Sequence, residues 1–445
     1  QYRLALLRPK MSNFESRSAD WLPCSIAQQR ILQAASPLAQ EDVVLSEALG
    51  RALAADVTAS TSLPPWDNSA MDGYAVKGAD VVGATKDQPV DLVVTGVVHA
   101  GNRFKGSVRL GQAVRIMTGG PVPEGADTVI RVEDTDREDI NPGRVVIFSD
   151  RDYARNVRPG GQDWVVGSTV LRAGTSIGPG HIGVLAAARA SEVTVRRKPT
   201  VAIITSGDEL TELDAPSLDE DRIPESNSHL IAAAVRDAGA LPLRLGIAKD
   251  DPQDVGCYVE RAGSADVLVT IGGASMGEAD LFKRVLDDAG IRIDFWRVKI
   301  RPGSPISFGH LPRGTVAPQP VFGLPGNPAS TFVTFEVFVR PFLLALAGHT
   351  RVLRPMITAR AGADLTVPKN VTGFLRVRLA QADGLLNAFI TGSQGSGLVT
   401  SLGTADGLAI VPEGIATIAR GSSVEVMVLN NAVGFSDDSQ PDNPA

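Results

Sequence analysis

The sequence TIGGASMGEADLFKRVL, residues 270–286, decides the predicted fold, because it joins a buried strand to an amphipathic helix through a glycine-rich turn. The preceding ADVLVT is apolar and β-branched, as is typical of a parallel strand with both faces buried. After the turn, one helical face carries the apolar residues Leu281, Phe282, Val285, Leu286 and Ala289. Gly290 follows at the C′ position, where a left-handed residue ends a helix.

The turn itself has the composition of an anion site. Gly272 and Gly273 let the backbone approach a ligand closely, and the helix N-terminus favours a phosphate. Glu278 and Asp280 would repel that phosphate unless a divalent cation lay between them, so we predict magnesium. The alternative is that both acids only cap the helix and favour its dipole. We assign cofactor binding to the turn residues Gly272, Gly273, Ser275 and Gly277.

Composition excludes several classes of protein. A chain of 445 residues is expected to form roughly three domains of ordinary size. The formal net charge of −7 argues against a general nucleic-acid binder and leaves small molecules as the expected partners. Cys24 and Cys257 are the only cysteines, and their spacing indicates neither a disulfide framework nor a zinc site. We therefore expect a cytoplasmic protein.

The two ends of the chain predict neither a leader nor a membrane anchor. LALL, near the N-terminus, is too short for a secretory segment, and no apolar run reaches the roughly 18 residues that a membrane helix needs. We therefore expect no membrane partner. Residues 431–445 are polar and contain proline, so we predict a disordered tail.

The first part of the chain predicts helices over residues 25–35 and 43–57, followed by an irregular loop. That loop, LPPWDNSAMDGYAV at residues 63–76, combines two prolines, a turn-forming Asp67–Asn68 pair and Asp72. A polar loop with an aromatic residue near each end suggests a functional segment. The alternative is a turn between domains, in which Asp67 and Asn68 bond their own backbone.

Alternating apolar residues between positions 88 and 148 predict a small β-barrel or sandwich inserted in the first domain. The rigid loop TGGPVPEGAD offers only the hydroxyl of Thr118 for chemistry. Asp163 follows a double-glycine turn in the next motif, RNVRPGGQDW. It is either a cap or a carboxylate that faces a ligand.

Strands alternate with helices from residue 200 onward, which predicts an open, mostly parallel sheet with its ligand site at the carboxyl ends of the strands. Asn227 or Ser228 is expected to cap one helix, and Asp251 is expected to cap the next before Pro252. The loops at the predicted ligand edge carry six acids, Asp208, Glu209, Asp250, Asp251, Glu278 and Asp280. Converging carboxylates need a cation, whereas a solvated acidic rim would not.

Two further segments of this region suggest an anion site. In FWRVKIRPGSP, strand alternation places Arg297, Lys299 and Arg301 on one face, where they could seat an oxyanion. In GLPGNPAS, Pro328 at the first helical position marks an N-terminus that could receive a phosphate. After residue 348 the pattern predicts a small final β-domain with a hydroxyl-rich loop, ITGSQGSG.

The motifs PPWDNSAMDGYAV, IMTGGPVPEGAD, GGQD, TSGDEL, KDDP, GGASMGEAD and GLPGNP occur in this order, and the set resembles the molybdopterin molybdenumtransferase family, which includes the C-terminal portion of gephyrin. The resemblance implies a multidomain α/β plus β fold. Its parts are an extended N-terminal domain (21–78 and 166–198), an inserted small β-domain (79–165), a mostly parallel three-layer α/β domain like molybdopterin adenylyltransferases (199–347), and a C-terminal β-barrel (348–430).

The resemblance also implies an activity, partners and site residues. The reaction would insert molybdate into adenylated molybdopterin and release AMP with Mg²⁺, in a homodimer with its site at the subunit cleft and a molybdopterin adenylyltransferase as partner. The implied catalytic residues are Asp72, Thr118, Asp163, Glu209, Asp250, Asp280, Arg297 and Arg301, of which Glu209, Asp250 and Asp280 would hold the metal. The implied cofactor-binding residues beyond the turn are Pro325, Gly326, Asn327, Arg376 and Ser396.

One position departs from the family pattern. The family usually has a lysine where this chain has Ser304, in Arg301-Pro302-Gly303-Ser304-Pro305, so one cationic side chain is missing. Arginine at 301 keeps the first charge and can grip an oxyanion bidentately. The missing lysine leaves open a gephyrin-like scaffold with a vestigial site, and the α/β domain, which resembles that of molybdopterin adenylyltransferases, leaves open that second activity.

Overall fold

A computed structural model describes residues 21–215, 221–272, 281–382 and 384–429 of the chain. The chain divides into two compact units. The smaller unit comprises Asp42–Leu49 and Leu53–Val195. The larger unit comprises the described residues of Gln1–Glu41, Gly50–Ala52 and Arg196–Ala445.

The smaller unit contains a five-stranded sheet with apolar residues on both faces. In spatial order its strands are Thr128–Arg131, Gly73–Val76, Gln112–Ile116, Val90–Val98 and Arg144–Ile147. Tyr74 and Val76 pack into one hydrophobic cluster, whereas Ala75 between them packs into another, as strand alternation requires. The first of these strands in chain order begins at Gly73.

Short elements complete the smaller unit. Its other helices and strands are Leu45–Glu47 (3₁₀), Val57–Thr58, Asn68–Ser69, Gly78–Val81, Val132–Asp134 (3₁₀), Val157–Arg158, Thr169–Leu171, Pro179–Ala187 and, running into the larger unit, Glu192–Arg196. The predicted helix over 43–57 is wrong. Strand Gln40–Val44 reaches into this segment, and the backbone amides of Leu53 and Ala54 donate to Thr175 and Thr194 instead of to a helical turn. Long-range pairing thus overrides the local apolar pattern.

The larger unit is organised around a six-stranded sheet, the central sheet. In spatial order its strands are Leu241–Ala248, Thr200–Ser206, Val267–Ile271, Val316–Leu324, Ser307–Arg313 and Arg292–Phe295. The first four strands are parallel and the last two are antiparallel additions. The predicted mostly parallel α/β sheet is therefore confirmed.

Helices cover the central sheet because its strands are apolar on both faces. Val201 and Ile203 share a cluster with the helix Asn227–Asp237, whereas Ala202 and Ile204 share a second cluster with the helices Pro252–Arg261 and Leu281–Asp288. The predicted apolar face of the last helix is confirmed by the burial of Phe282 and Leu286.

Local signals set several helix ends. Asp251 accepts hydrogen bonds from the amides of Gln253 and Asp254 at 3.0 and 2.9 Å, which confirms the predicted cap. Gly290 has φ +82°, as its predicted stop position requires. The predicted caps Asn227 and Ser228 are wrong, since both residues lie inside their helix.

One helical stretch, Pro328–Leu346, runs through the core of the larger unit. It consists of the helix Pro328–Thr334, the π-helix Phe335–Val339 and the helix Arg340–Leu346. By length and hydropathy it would pass as a membrane span, contrary to the sequence expectation, and 78% of its most apolar window is buried inside the fold. The helix predicted over 25–35 spans Cys24–Ala34. Its residues Ala27 and Ile31 belong to the same hydrophobic cluster as the buried side chains of this helical stretch.

Five strands after residue 355 pair in a closed ring, which confirms a C-terminal β-barrel-like region. In ring order they are Thr372–Ala382, Leu385–Ile390, Met356–Ala361, Ser423–Val428 and Gly407–Val411. The strand Val298–Arg301 joins this sheet beside Thr372–Ala382, and Leu22–Pro23 pairs with it in turn. The remaining described elements of the larger unit are Leu210–Thr211, Ile223–Pro224, Ala262–Ser264 (3₁₀), Leu365–Thr366, Thr400–Gly403 and Thr417–Ile418.

Candidate functional site

A cavity of about 740 Å³ lies at the carboxyl ends of the parallel strands of the central sheet, and we call it the acidic cavity. Its wall includes Ser206, Ile271 and Pro325, which end or follow three of those strands. This is the edge where an open α/β sheet binds its ligand. The predicted site residues Glu209, Asp250, Gly272, Pro325, Gly326 and Asn327 all line it.

The acidic cavity concentrates carboxylates. Burial, and then the nearby charges of Asp208 and Glu209, raise the pKa of Asp250 above its usual range. The Asp250 amide also donates to the Asp208 carboxylate at 3.3 Å. No lysine or arginine lines this cavity in the described ranges. The predicted convergence of Glu209 and Asp250 is therefore present, and their negative charge is not balanced by a neighbouring side chain in the described wall.

A complete metal site is not formed by the residues described. Within the described ranges no group of three or more His, Cys, Asp or Glu side chains is arranged to hold a metal ion. The predicted third ligand, Asp280, lies outside the described residues, together with Gly273, Ser275, Gly277 and Glu278.

Gly272 shows why glycine is needed at the wall of the acidic cavity. Its φ is +95°, and a Cβ there would lie 2.8 Å from the backbone oxygen of Ser206. Any side chain would therefore force apart the ends of two adjacent parallel strands. The glycine is thus explained by the neighbouring strand end, and the predicted approach of a ligand to this backbone stays a prediction.

Asn227 contributes a polar group to the same cavity. Its side-chain nitrogen donates to the Gly326 carbonyl at 2.6 Å, and its Oδ1 is buried without a hydrogen-bond partner in the described structure. The cap role predicted for Asn227 and Ser228 is instead performed by Glu225, whose carboxylate accepts from the Ser228 amide at 2.8 Å. Asn227 is thereby left to face the cavity.

A second cavity of about 450 Å³, which we call the arginine cavity, adjoins the first. Pro305, Pro325 and Asn327 line both cavities. Arg301 is the charged side chain of the described wall, and Ser304 lines it with its hydroxyl turned onto the Ile300 carbonyl at 2.6 Å. Ser304 therefore bonds its own loop.

The predicted row of three cations is only partly formed. Val298 and Ile300 are buried, and Lys299 and Arg301 alternate with them, as expected for a strand. Lys299, however, donates to Glu413 at 2.9 Å. Arg297 precedes the strand and does not line either cavity, and its guanidinium lies 5.6 Å from the ring centroid of Trp21. Arg301 alone of the three lies in the wall.

Ser396 connects the barrel region to the loop between the two cavities. Its hydroxyl accepts from the Asn327 side chain at 3.1 Å, and its carbonyl accepts from the Ala329 amide at 3.0 Å. Pro328 occupies the first helical position, as predicted. The helix N-terminus that we expected to receive a phosphate therefore already donates to Ser396.

Arg376 lies behind the same loop. It is 0% exposed, and its guanidinium donates to the Ser401 hydroxyl at 2.8 Å and to the Gly395 carbonyl at 3.1 Å. Burial lowers the pKa of Arg376, and its Nη1 has no hydrogen-bond partner among the described atoms. Because Gly395 lines the arginine cavity, Arg376 places buried positive charge behind its wall.

The smaller unit brings together the loops that carry the other predicted residues. Asp72 Oδ1 accepts hydrogen bonds from the Thr118 amide at 2.6 Å and hydroxyl at 2.8 Å. The segment 63–72 also bonds to the segment of Asp163, whose amide donates to the Leu63 carbonyl at 2.9 Å. Asp72 and Thr118 are therefore one hydrogen-bonded group, and Asp163 is exposed on an adjoining loop.

Trp21 and Asn227 are among the cavity residues that the sequence did not predict. Trp21 lines the arginine cavity, but it lies before the first predicted helix and carries no motif. Asn227 was interpreted as a helix cap because asparagine favours that position. That preference accounts for an asparagine at a helix start without any ligand, so the sequence pattern indicated no cavity.

Three family sequence models match consecutive parts of the chain. They are the MoeA N-terminal region (domain I and II) at residues 22–188, a probable molybdopterin binding domain at residues 202–345 and the MoeA C-terminal region (domain IV) at residues 358–429. These matches, together with the cavities at the strand ends, define the class of the protein. It has three consecutive regions, and the central one matches a probable molybdopterin binding domain.

Relatives and solved structures extend this similarity over most of the chain. A Nostoc molybdopterin molybdenumtransferase is 37% identical over 393 residues, which are 87% of this chain and 88% of the relative. The Bacillus subtilis molybdopterin molybdenumtransferase is 33% identical over 93% of this chain and 95% of its own length. The chain belongs to the molybdopterin molybdenumtransferase family. The molybdopterin biosynthesis moeA protein of Pyrococcus horikoshii superposes with a TM-score of 0.79 at 27% identity, covering 92% of this chain and 100% of the other.

Proposed function

We propose that this protein is a molybdopterin molybdenumtransferase, which inserts molybdate into adenylated molybdopterin and releases AMP. One observation carries the proposal: two adjoining cavities of opposite charge share a wall. The acidic cavity presents Glu209 and Asp250, whereas the arginine cavity presents Arg301. Two ligands with different charge requirements can therefore be held side by side, as the transfer of an oxyanion to an organic cofactor requires.

The acidic cavity suits the pyrophosphate of adenylated molybdopterin only if a cation accompanies it. The raised pKa of Asp250 reflects burial and the charges of Asp208 and Glu209, and a divalent cation would relieve that repulsion. Glu209 and Asp250 would hold Mg²⁺ together with Asp280, which lies outside the described residues. When bound, the ion would supply Lewis-acid neutralisation of charge on the phosphoryl oxygens.

The arginine cavity suits molybdate. Arg301 offers a planar set of donors to an oxyanion, and Ser396 adds a hydroxyl to the same wall. Arg376 adds buried positive charge behind the Gly395 carbonyl, in a setting where electrostatic attraction is stronger than in water. These features compensate in part for the neutral Ser304.

The proposed reaction breaks the phosphoanhydride bond between AMP and the molybdopterin phosphate. An oxygen of water or of molybdate forms the new bond to phosphorus, and AMP leaves with the electron pair of the broken bond. The two dithiolene thiols of molybdopterin would bind molybdenum while one oxide of molybdate leaves as water with the two thiol protons, so molybdenum keeps its oxidation state. Arg301 would attract molybdate and stabilise developing negative charge, while Asn227 and Asn327 would orient the organic substrate. Gly272 and Gly326 would let the organic substrate approach the backbone closely.

Several further properties belong to this proposal. The protein would be a cytoplasmic homodimer, with Asp72, Thr118 and Asp163 contributing to a site at the subunit cleft and a molybdopterin adenylyltransferase supplying the substrate. The exposed loops that carry these residues, together with the family resemblance, support that arrangement. The central domain would have the three layers of an adenylyltransferase, which the apolar clusters on both sheet faces support.

The test is AMP release from adenylated molybdopterin with molybdate and Mg²⁺, comparing Asp250→Asn with Asp251→Asn. Both variants remove one carboxylate, but Asp251 caps a helix and does not line either cavity, and asparagine also caps well. We expect Asp250→Asn to lose AMP release by about a hundredfold or more and Asp251→Asn to keep it. Equal rates for wild type and Asp250→Asn would contradict the assignment.

The same assay separates the alternatives. An adenylyltransferase would form adenylated molybdopterin from MgATP, and a scaffold with a vestigial site would show neither reaction nor oxyanion binding. The match of the chain to named transferases over 87% and 93% of its length favours the transferase, because a single adenylyltransferase-like domain would leave both flanking regions unmatched.

A further inference from the structure

The first described residues form an added edge strand beside the arginine cavity. Leu22 pairs with Val298 and Pro23 with Lys299 in parallel register. The Leu22 amide also donates to the Arg297 carbonyl at 3.1 Å. This pairing fixes the backbone of residues 21–23 against the strand that ends in Arg301, although the two segments are far apart in sequence.

Trp21 links Arg297 to the arginine cavity. Its side chain contributes to the cavity wall, together with Arg301. The guanidinium carbon of Arg297 lies 5.6 Å from the Trp21 ring centroid, within the range of a cation–π contact. Arg297 does not itself line the cavity, so Trp21 is the residue that both lines the cavity and contacts the Arg297 guanidinium.

A tryptophan in this position has two physical effects. Its ring face attracts the arginine cation and limits the number of positions that the long side chain can occupy. Its apolar edge also removes water from the cavity wall, so the attraction between the nearby cations and an oxyanion is screened less. Both effects favour anion binding without any direct hydrogen bond from Trp21 to the anion.

We infer that Trp21 is a positioning residue of the arginine cavity, which holds Arg297 beside the oxyanion bound next to Arg301. This inference rests on the proposed function, because that function places molybdate in this cavity. It assigns a role in oxyanion binding to the segment before the first helix, outside the motifs that carry the family resemblance.

The test measures tungstate binding to the full chain by isothermal titration calorimetry, with tungstate as the molybdate analogue. Trp21→Leu should weaken binding by about threefold to tenfold, and Trp21→Phe, which keeps an aromatic face, should stay within about twofold of wild type. Tyr258→Leu is the matched control. Tyr258 carries Arg261 over its ring at 5.0 Å in the same unit but lines neither cavity, so tungstate affinity should not change.

A double-mutant cycle distinguishes positioning from general damage. Arg297→Ala should weaken tungstate binding in wild type and should weaken it less in Trp21→Leu, because the two residues act together. Wild-type affinity in folded Trp21→Leu, or additive losses in the cycle, would overturn the inference.

The tungstate-induced change in Trp21 fluorescence gives a second measurement. It is obtained by subtracting the emission change of Trp21→Phe from that of the wild type. Unchanged emission at saturation would also overturn it, even if Trp21→Leu did not fold.

Failure of this inference and failure of the proposed function give different results. A wild-type protein that binds no tungstate contradicts the oxyanion site itself, and the inference falls with it. Wild-type binding that is unaffected by Trp21→Leu contradicts only the role of Trp21.

Discussion

Asp72 and Thr118 form one hydrogen-bonded group, because a single carboxylate oxygen of Asp72 accepts from both the amide and the hydroxyl of Thr118, at 2.6 and 2.8 Å. The two hydrogen bonds lower the pKa of Asp72, first through the Thr118 amide and then through its hydroxyl. The carboxylate therefore fixes the orientation of the hydroxyl that the family resemblance assigns to the site.

This relationship predicts non-additive effects on catalysis. Asp72→Ala and Thr118→Val should each lower AMP release, on the order of tenfold or more, and the double variant should lose little beyond Asp72→Ala. The measurement is steady-state AMP release by the three variants. Losses that multiply would show that the two side chains act independently. Asp67→Ala offers a control in the same loop, since Asp67 bonds the Gly160 amide and not Thr118.

The pair Arg197–Asp266 predicts a pH dependence of stability. Burial alone would raise the pKa of Asp266, but the hydrogen bonds from Arg197 and Thr200 outweigh it and lower that pKa. The Thr200 amide and hydroxyl each donate to Asp266 at 2.8 Å, which ties together the starts of two central strands. Asp266→Asn should lower the free energy of unfolding by about 2 kcal/mol at neutral pH.

The sign of the pH effect follows from the lowered pKa. The stabilisation by Asp266 is complete above the unfolded-state pKa of about 3.9 and is lost as the pH falls through the lower folded-state pKa. Urea unfolding of wild type and Asp266→Asn should therefore converge in strongly acidic buffer. A difference that stays constant from neutral pH to pH 2 would contradict the assignment.

Glu336, in the core helical stretch, forms a buried ion pair with Arg354, beyond the end of that stretch, and the pair should be costly to break. Arg354 is 8% exposed and Glu336 is 3% exposed, and two hydrogen bonds of 2.8 and 3.1 Å join them. Glu336→Leu leaves Arg354 buried with Asp237, at 2.9 Å, as a remaining acidic partner, and should destabilise by about 3 kcal/mol, the lower end of the cost of breaking a buried pair. The double variant Glu336→Leu/Arg354→Leu should recover part of the loss in urea unfolding. A double variant less stable than Glu336→Leu would contradict this account.

The two cysteines should differ in reactivity. Cys257 is exposed, whereas burial raises the pKa of Cys24 to about 12, so its thiol stays protonated and unreactive. At pH 8 the native protein should show one fast-reacting thiol with DTNB. Cys257→Ser should remove that phase and Cys24→Ser should keep it. Two equally fast thiols in the native protein would be inconsistent with the burial of Cys24.

Local signals predicted much of the fold. Alternating β-branched runs identified the central strands, and Asp251, Pro252 and Gly290 marked helix ends correctly, because each acts through its own backbone neighbourhood. The predicted acids Glu209 and Asp250 meet because parallel strands deliver their following loops to one edge.

Other features depend on contacts between distant residues. The strand Val298–Arg301 has the alternation expected for the central sheet, but it pairs with Thr372–Ala382 of the barrel region. The alternation of side chains with a period of two residues does not identify the strand with which a segment pairs. Trp21 reaches the arginine cavity through the pairing of the adjoining Leu22–Pro23, and Ser396 reaches it through hydrogen bonds from Asn327 and Ala329, so their positions could not be predicted from their neighbours in sequence.

The central claim, that the arginine cavity seats an oxyanion beside the acidic cavity, is tested most directly by a crystal of the protein soaked in tungstate. Tungsten scatters anomalously and can be located without reference to the surrounding protein. The account predicts a tungsten peak within hydrogen-bonding distance of the Arg301 guanidinium, and no peak there in Arg301→Ala. An ordered tungstate elsewhere, with the arginine cavity empty at saturating concentration, would contradict it.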